Sequence, residues 1–225
     1  LADEELGDGL SLPETGWTLL WDAVDWLVPG GTWSYADTAP LEAITRIAAA
    51  IGARVETDRT LLQLAVKPTY PISPWAWDAE TPYAILPAEI LTAGDGRWQG
   101  GSNADRVYCY SSNAGYGALV SIAGGPTSIA LPLVVDSLLT TADPARERGR
   151  QALAAAGSIK SETRTIPLFP SPADPGLLPI GELVDVQDSA SEEWRGQVMG
   201  VRIDASRQGS AFSVRQTLTI ERHFR

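Results

Sequence analysis

A chain of 225 residues, 44% of them hydrophobic and 20% charged, holds enough apolar material to bury a core as one large domain or two small ones. Mean hydropathy is −0.05 and no apolar run approaches the ~20 residues of a bilayer-spanning helix, which sets stable membrane insertion aside. The net charge of −11, from 17 basic and 28 acidic side chains, disfavours specific nucleic-acid binding, and the single Cys109 and single His223 remove an intramolecular disulfide and most histidine-dependent catalysis.

Residues 1–13 carry four acidic side chains and no apolar period, and read as an exposed arm; nothing in residues 1–15 has the pattern of a signal peptide. In residues 17–28, Trp17, Leu20, Trp21, Val24, Leu27 and Val28 follow helical spacing, and Pro29-Gly30-Gly31 ends the run, predicting a short amphipathic helix. Leu19 and Trp26 project opposite that stripe as a second apolar patch, the mark of a helix sandwiched between neighbours. Residues 31–35 read as a strand. Asp37-Thr38 and Pro40 predict a cap and first turn for a helix running to Ile51, with Leu41, Ile44, Ile47, Ala48 and Ile51 as its core face and Gly52 as its stop. Residues 53–56 and 61–66 then form a hairpin with Leu62, Leu64 and Val66 pointing one way, which completes a β-α-β-β unit.

Residues 67–87 hold five prolines between Pro68 and Pro87 together with Trp75 and Trp77, and predict an ordered loop. Strands follow at 106–111 and 117–123, and a second helix begins at Asp143-Pro144 and ends at Gly157. Its narrow stripe of Ala145, Gly149, Ala152, Leu153 and Ala156 lets the helix backbone lie close on a sheet. Residues 159–169, 182–187, 194–204 and 212–221 finish the chain as strands, with Phe212, Val214, Leu218 and Ile220 alternating against Ser213, Arg215, Thr217 and Thr219. No repeat of 20–50 residues occurs, so solenoids and propellers are excluded. The fold class read from this pattern is α+β: a β-rich, tube-like barrel or meander packed with a helix, a smaller β-α-β-β subdomain, and an N-terminal arm with a short amphipathic helix. The expected partition is 1–31, 32–104 and 105–225.

Chemistry is sparse. No metal-ligand spacing joins Cys109 to His223, no G-x-S-x-G elbow presents a serine, and the glycine pairs Gly100-Gly101 and Gly124-Gly125 lack the lysine of a phosphate loop. No catalytic residue, cofactor or metal site is therefore assigned. The carboxylate pairs Asp22/Asp25, Asp78/Glu80 and Glu192/Glu193 fit a solvated surface better than a glycosidase. Trp26, Trp75, Trp77 and Trp98 have no evident burial partner in the pattern and are candidate protein-interface residues along with Leu19. Arg146, Arg148 and Arg150 share one helix with Glu147 between them, a face for ion pairing with an acidic neighbour, and Arg146 and Arg150 join the interface candidates.

Several stretches, in order, resemble the baseplate hub, or tail-tip hub, proteins of long-tailed bacteriophages. LEAITRIAAAIGARVETD followed by TLLQLAV, within 41–66, is similar to the family's β-α-β-β insert. NADRVYCY at 103–110 is similar to the strand that follows, and SLLTTADPARERGRQALAAAG at 137–157 to the helix before the final domain. LPIGELVDVQD, EWRGQVMGVRID and QTLTIER, within 178–222, resemble the terminal barrel strands, with Ile180 standing where the family's turn has proline. The resemblance spans about residues 32–222. It implies a structural protein of the virion tail tip: a homotrimer that closes the tail tube, contacts distal tube proteins and tail-tip or fibre proteins, with the tape-measure protein as a possible partner, and leaves a path for DNA. Family members carry a further N-terminal tube-like domain for which no length precedes Trp17, so the chain is expected to be either the later part of a split or truncated hub or a related tail-tip protein. A tail-associated cell-wall hydrolase and a receptor- or glycan-binding module are the alternatives.

Overall fold

The computed structural model describes residues 16–37, 39–125, 128–169, 175–189 and 191–224. In chain order these form β1 (Thr18–Trp21), α1 (Pro40–Ala50), β2 (Ala53–Thr57), β3 (Gln63–Pro68), β4 (Ala84–Leu86), β5 (Ala93–Gln99), β6 (Arg106–Tyr110), β7 (Gly117–Ser121), β8 (Val134–Val135), α2 (Ala142–Ala154), β9 (Ser158–Pro167), β10 (Leu183–Ser189), β11 (Glu192–Gln208) and β12 (Ala211–Phe224). The class is α+β and rich in strand. The chain divides into two compact units, each made of two segments: Leu1–Pro71 with Ala104–Ala155, and Ile72–Asn103 with Ala156–Arg225. This replaces the three-part partition expected at 1–31, 32–104 and 105–225. The reason is strand pairing: β4 and β5 pair with β10 and β9 from the far end of the chain, so continuity in sequence misleads.

The first unit holds two three-stranded sheets, each with a helix. In the order β1-β3-β2, β1 runs parallel to β3 and β2 antiparallel to it. The β-α-β-β order is as expected, but its first strand lies in the segment predicted to be a helix. Residues 18–21 alternate, with Leu19 buried and Thr18 and Leu20 exposed, and a parallel partner outweighs the weak local preference of a short isolated helix. Beyond Trp21 the backbone is irregular; Trp17, Trp21, Trp26 and Val28 still pack on the same core of Leu19, Ile44, Ile47, Leu64 and Val66. Residues 31–35 form a turn and bend rather than a strand, with Trp33 stacked on Tyr35 at 5.3 Å.

Helix α1 starts with Pro40 in its first turn. Its N-cap is Ala39, without a side-chain bond, so Asp37 does not cap it; Thr38 lies outside the described residues, as does the predicted arm at 1–13. Ile44, Ile47, Ala48 and Ile51 are buried as expected, while Leu41 and Leu62 are exposed, Leu41 at the helix start and Leu62 before β3 begins. Gly52 ends the helix at φ +73°, and a Cβ there would come within 2.6 Å of the Gln151 side chain, so both conformation and space require glycine. The second sheet, β7-β6-β8, packs Val107, Cys109, Ala118 and Val120 against α2. There a Cβ at Gly149 would stand 2.5 Å from Val120, and the small-residue stripe accounts for the close approach. Ala145, Gly149 and Leu153 are buried, and Ala152 and Ala156 half-buried. The helix expected to pack with the β-rich C-terminal domain belongs to this unit instead.

The second unit is one six-stranded sheet in the order β4-β10-β11-β12-β9-β5, antiparallel except for the β4–β10 pair. Its edge strands β4 and β5 are joined by only six residues, three of them in a 3-10 turn at Ala88–Ile90. Five strand spacings across a flat sheet amount to roughly 24 Å, near the limit of what so short a linker spans even fully extended. The sheet therefore curls, and a single cluster of Leu86, Ile166, Leu178, Val186, Val198, Leu218 and Ile220 fills its concave face. A bulge at Met199 shifts the register so that Val198 and Val201 both turn toward this core.

Candidate functional site

Of the seven predicted interface residues, two are core. Leu19 is 3% exposed, because alternation in β1 turns it inward, and Trp77 is 4% exposed. The Trp77 ring meets His223 edge-on at 5.0 Å, its indole N–H donates to the Ile72 carbonyl, and its own carbonyl accepts from Arg195, which also forms a two-pronged bond with Asp185. Neither residue offers a surface. Trp26 is half-buried and donates its indole N–H to the Leu138 carbonyl at 2.8 Å, so the Leu19/Trp26 patch does not exist as a surface feature. Trp75 and Trp98 are exposed, Trp98 at 59% with its ring 4.6 Å from Phe224. Arg146 is exposed and lies 3.6 Å from Asp143, while Arg150 is held by a two-pronged bond to Glu147 on the same helix and is not free for a neighbour.

Charge is concentrated inside the curled sheet, where the sequence pattern placed none. Lys160, Glu162 and Arg164 alternate along β9 on the concave side. Arg164 reaches across the interior to Asp188 on β10, Nε to Oδ1 at 3.1 Å and Nη2 to Oδ2 at 2.8 Å, though two strands separate β9 from β10 in the sheet. It also bonds Glu162 at 2.6 Å, Glu162 faces Lys160 at 2.9 Å, and the Trp194 indole N–H donates to Asp188 at 2.8 Å. Arg164 and Arg222 both stack on the Trp194 ring. Burial alone would raise the Asp188 pKa, but the bonds from Arg164 and Trp194 and the Arg164 charge outweigh it and hold the carboxyl below its ordinary value. Burial would likewise depress Arg164, and Asp188 and Glu162 together raise it instead. A groove of about 510 Å³ opens on this network, floored by Gly94 and Gly96 of β5. A Cβ at Gly94 would stand 2.6 Å from Arg164 Nη1, and one at Gly96 2.7 Å from Lys160 Cε, so these glycines make room for the charged side chains. The two cations and two anions compensate each other, which makes the network a strut across the mouth of the sheet rather than a charged receptor.

The groups considered for catalysis stay apart from it. Asp22, Asp25, Asp78, Glu80, Glu192 and Glu193 are all exposed, and no group of three metal-ligating side chains occurs among the described residues. Cys109 is fully buried, and burial, opposed in part by the charge of Arg148, raises its thiol pKa and keeps it inert. No helix among the described residues is long and apolar enough to cross a membrane.

Exposed apolar surface is the other feature. Beyond Asp204 and Arg215, where pairing with β9 ends, the β11–β12 pair runs on as a two-stranded ribbon; Ile203 just before it and Phe212 within it are exposed. On the β7-β6-β8 sheet, the face away from α2 presents Tyr108, Tyr110, Leu119 and Val135 to solvent. The alternation of Phe212 and Val214 against Ser213 and Arg215 marks the ribbon in the sequence; nothing in the sequence marked the second face.

Two solved structures share this fold. The tail protein from Neisseria meningitidis MC58 superposes with a TM-score of 0.56 at 16% identity, over 98% of this chain and 65% of its own. The 43 kDa tail protein of prophage MuSo2 from Shewanella oneidensis does so with a TM-score of 0.55 at 18% identity, over 97% of this chain and 62% of its own. The likeness to these two tail proteins is one of fold. The chain spans slightly less than two thirds of the length of either structure. No protein-family model and no curated protein sequence matches it.

Proposed function

We propose that this chain is a structural, non-enzymatic component of a bacteriophage tail and, within the tail, a subunit of a trimeric hub at the tip that closes the tube and connects it to tail-tip or fibre proteins. The observation that carries the reading is the likeness, over nearly all of this chain, to two tail proteins. The exposed Trp75, Trp98 and Arg146, together with the uncovered ribbon and sheet face, supply contact surface for neighbouring subunits. The net charge of −11 suits a wall past which DNA and the tape-measure protein move, since few cations are available to grip phosphate.

The test is imaging of purified virions with this chain labelled. Three copies at the distal end of the tail are the expected result. A label spread along the tube would keep the tail reading and remove the hub, and a label on the capsid or no label at all would remove both. Duplex DNA should not bind the isolated chain even in low salt, where any basic stripe acts most strongly.

A further inference from the structure

We propose that Asp95 is a site of spontaneous covalent modification, at which the Gly96 amide nitrogen closes on the Asp95 carboxyl and the chain passes through a succinimide to isoaspartate. The reaction depends on no part of the tail reading and needs nothing but water.

Ring closure needs a nitrogen with no side chain beside it, a carboxyl held close to that nitrogen, and a main chain that can turn. The sequence meets the first need: Asp95-Gly96 is the one aspartate followed by glycine among the described residues, and Asp8-Gly9 lies outside them. The second is met by a hydrogen bond, since the Gly96 N–H donates to Asp95 Oδ1 at 2.8 Å and so lays the carboxyl against the nitrogen that must attack it. The third follows from position in the sheet. β5 is an edge strand, with β9 on one side and no strand among the described residues on the other, and residues 94–99 are all exposed. Asp95 stands between two glycines, the residues that resist main-chain rotation least.

Other aspartates meet some of these needs and not the rest. Asp25 is exposed and its Oδ1 accepts from the Trp26 N–H at the same 2.8 Å, but the residue that carries this nitrogen has a bulky side chain. Asp58 Oδ1 accepts from the Thr60 and Leu61 N–H groups, two and three positions on, so its carboxyl serves a turn and not the adjacent peptide. Asp136, Asp185 and Asp188 are each bonded to an arginine.

The step balances without an oxidant or a co-reactant. Gly96 N attacks Asp95 Cγ; the N–Cγ bond forms, a C–O bond of the carboxyl breaks, and the amide hydrogen and the hydroxyl leave as water. Water then adds to one of the two ring carbonyls. Opening at Cγ restores aspartate, whereas opening at the former peptide carbonyl leaves a main chain that runs through Cβ and Cγ, one methylene longer, with the α-carboxylate as its branch. That methylene displaces the strand beyond Asp95 from its register, in which Asp95 faces Thr163 and Gly96 faces Glu162. Gly96 lies close beneath Lys160, so the displacement also disturbs the seat of the charged network. Pairing with β9 restrains Asp95, so the ring closes from states in which the edge has frayed, and the folded chain reacts more slowly than the unfolded one.

The experiment is incubation of the full chain, folded and in urea, in warm, mildly acidic buffer, where a protonated carboxyl can release its oxygen as water. Isoaspartate is read with an L-isoaspartyl methyltransferase and labelled S-adenosylmethionine, and placed by fragmentation of the proteolytic peptides. Label should accumulate on the Asp95 peptide of the folded chain and not on the Asp25 peptide, by way of an intermediate lighter by one water. Gly96→Ala should slow it severalfold; the added Cβ meets only the flexible end of Lys160, so the variant should fold. Asp95→Asn keeps an oxygen to accept from the Gly96 N–H and loses ammonia in place of water, so it should reach the same products severalfold faster in an unchanged fold. The isoaspartate fraction, once separated, should melt below the parent. Label at Asp95 in urea but none in the folded chain, an Asp95→Asn chain that keeps its amide, or equal label at Asp95 and Asp25 would each overturn the site. A separated fraction that melts with the parent would overturn its effect on the charged network.

Discussion

The two units solve one problem, covering a sheet, in different ways. In the first, α1 and α2 each lay an apolar stripe on a three-stranded sheet, and the buried polar groups there bond to backbone: Gln151 to both ends of the Tyr70 peptide, and Asp105 to the Ser128 N–H. In the second, no α-helix is present among the described residues, and the sheet rolls to fill its concave side with its own side chains. A rolled sheet is apolar where its walls approach and hollow at its mouth, and long charged side chains span that hollow. The difference teaches where each unit is vulnerable: the first to loss of fit between helix and sheet, the second to loss of charge balance.

The largest effect should come from unbalancing the strut. Arg164→Leu leaves Glu162, 3% exposed, and Asp188 without their shared cation, and should cost about 3–5 kcal/mol of stability, the usual range for stranding one side of a buried pair. Replacing Lys160, Glu162, Arg164 and Asp188 together with leucine should recover most of that loss, since no charge of the network is then left facing an absent partner. Urea unfolding followed by tryptophan emission reads both. A loss below about 1 kcal/mol in the single variant would mean that water already reaches the pair, as at an exposed ion pair, and the contrast between the units would fail.

A smaller effect belongs to the first unit. Gly149→Val drives a branched side chain into Val120, itself stiff, and should cost about 1–3 kcal/mol as α2 lifts from β7. In the second unit Gly94→Ala meets only the flexible end of Arg164 and should cost less, while Gly100→Ala, with nothing within 4 Å, should change little. Thermal melting of the three variants checks the ranking. Equal losses at Gly149 and Gly94 would show that the Arg164 side chain is as rigidly held as a packed valine.

What could be read from sequence divides along the same line. Helix α2 was legible because a proline near its start, a small-residue stripe and a terminal glycine agree, and α1 because Pro40 and a period of 3.6 do. The C-terminal strands announce themselves through alternation. The 17–28 segment was not legible: tryptophans at helical spacing and at strand spacing look alike over four residues, and the deciding partner, β3, lies more than 40 residues away. Trp77 reads as an interface anchor in the sequence because the ring that covers it, His223, lies 146 positions further along the chain. The strut was missed because SIKSETRTIP is polar at nearly every position and shows no inward face. The signal that marks it is Gly94-Asp95-Gly96 inside a strand, where alternate glycines leave space for something bulky beside them.

The smallest effect is a difference in acid response, and it separates the two units by the burial of one carboxylate in each. Asp188 is held below the ordinary carboxylate pKa by Arg164 and Trp194 despite its burial. Asp58, in the exposed β2–β3 turn, is lowered chiefly by the Thr60 and Leu61 backbone N–H groups donating to Oδ1, helped by the Thr60 hydroxyl. Each folded pKa lies below that of the unfolded chain, about 3.9 for aspartate, so each contributes stability that is present in full above that value and fades as pH falls through the lower, folded value. Asparagine at 58 keeps an oxygen to accept the same backbone bonds and should leave neutral stability nearly unchanged, while the share of the acid slope that the Asp58 carboxylate carries is lost with its titration. Asparagine at 188 keeps no charge for Arg164, and its stability should be lower at pH 7 and fall less steeply than the parent's as pH drops through the unfolded aspartate value of about 3.9 toward the depressed folded one. Urea midpoints of the three proteins at several pH values decide it: both variants should flatten the acid slope, but only Asp188→Asn should lower stability at pH 7, and equal stability of the two variants at pH 7 would show that the strut depends on its carboxylate's charge no more than an exposed turn does.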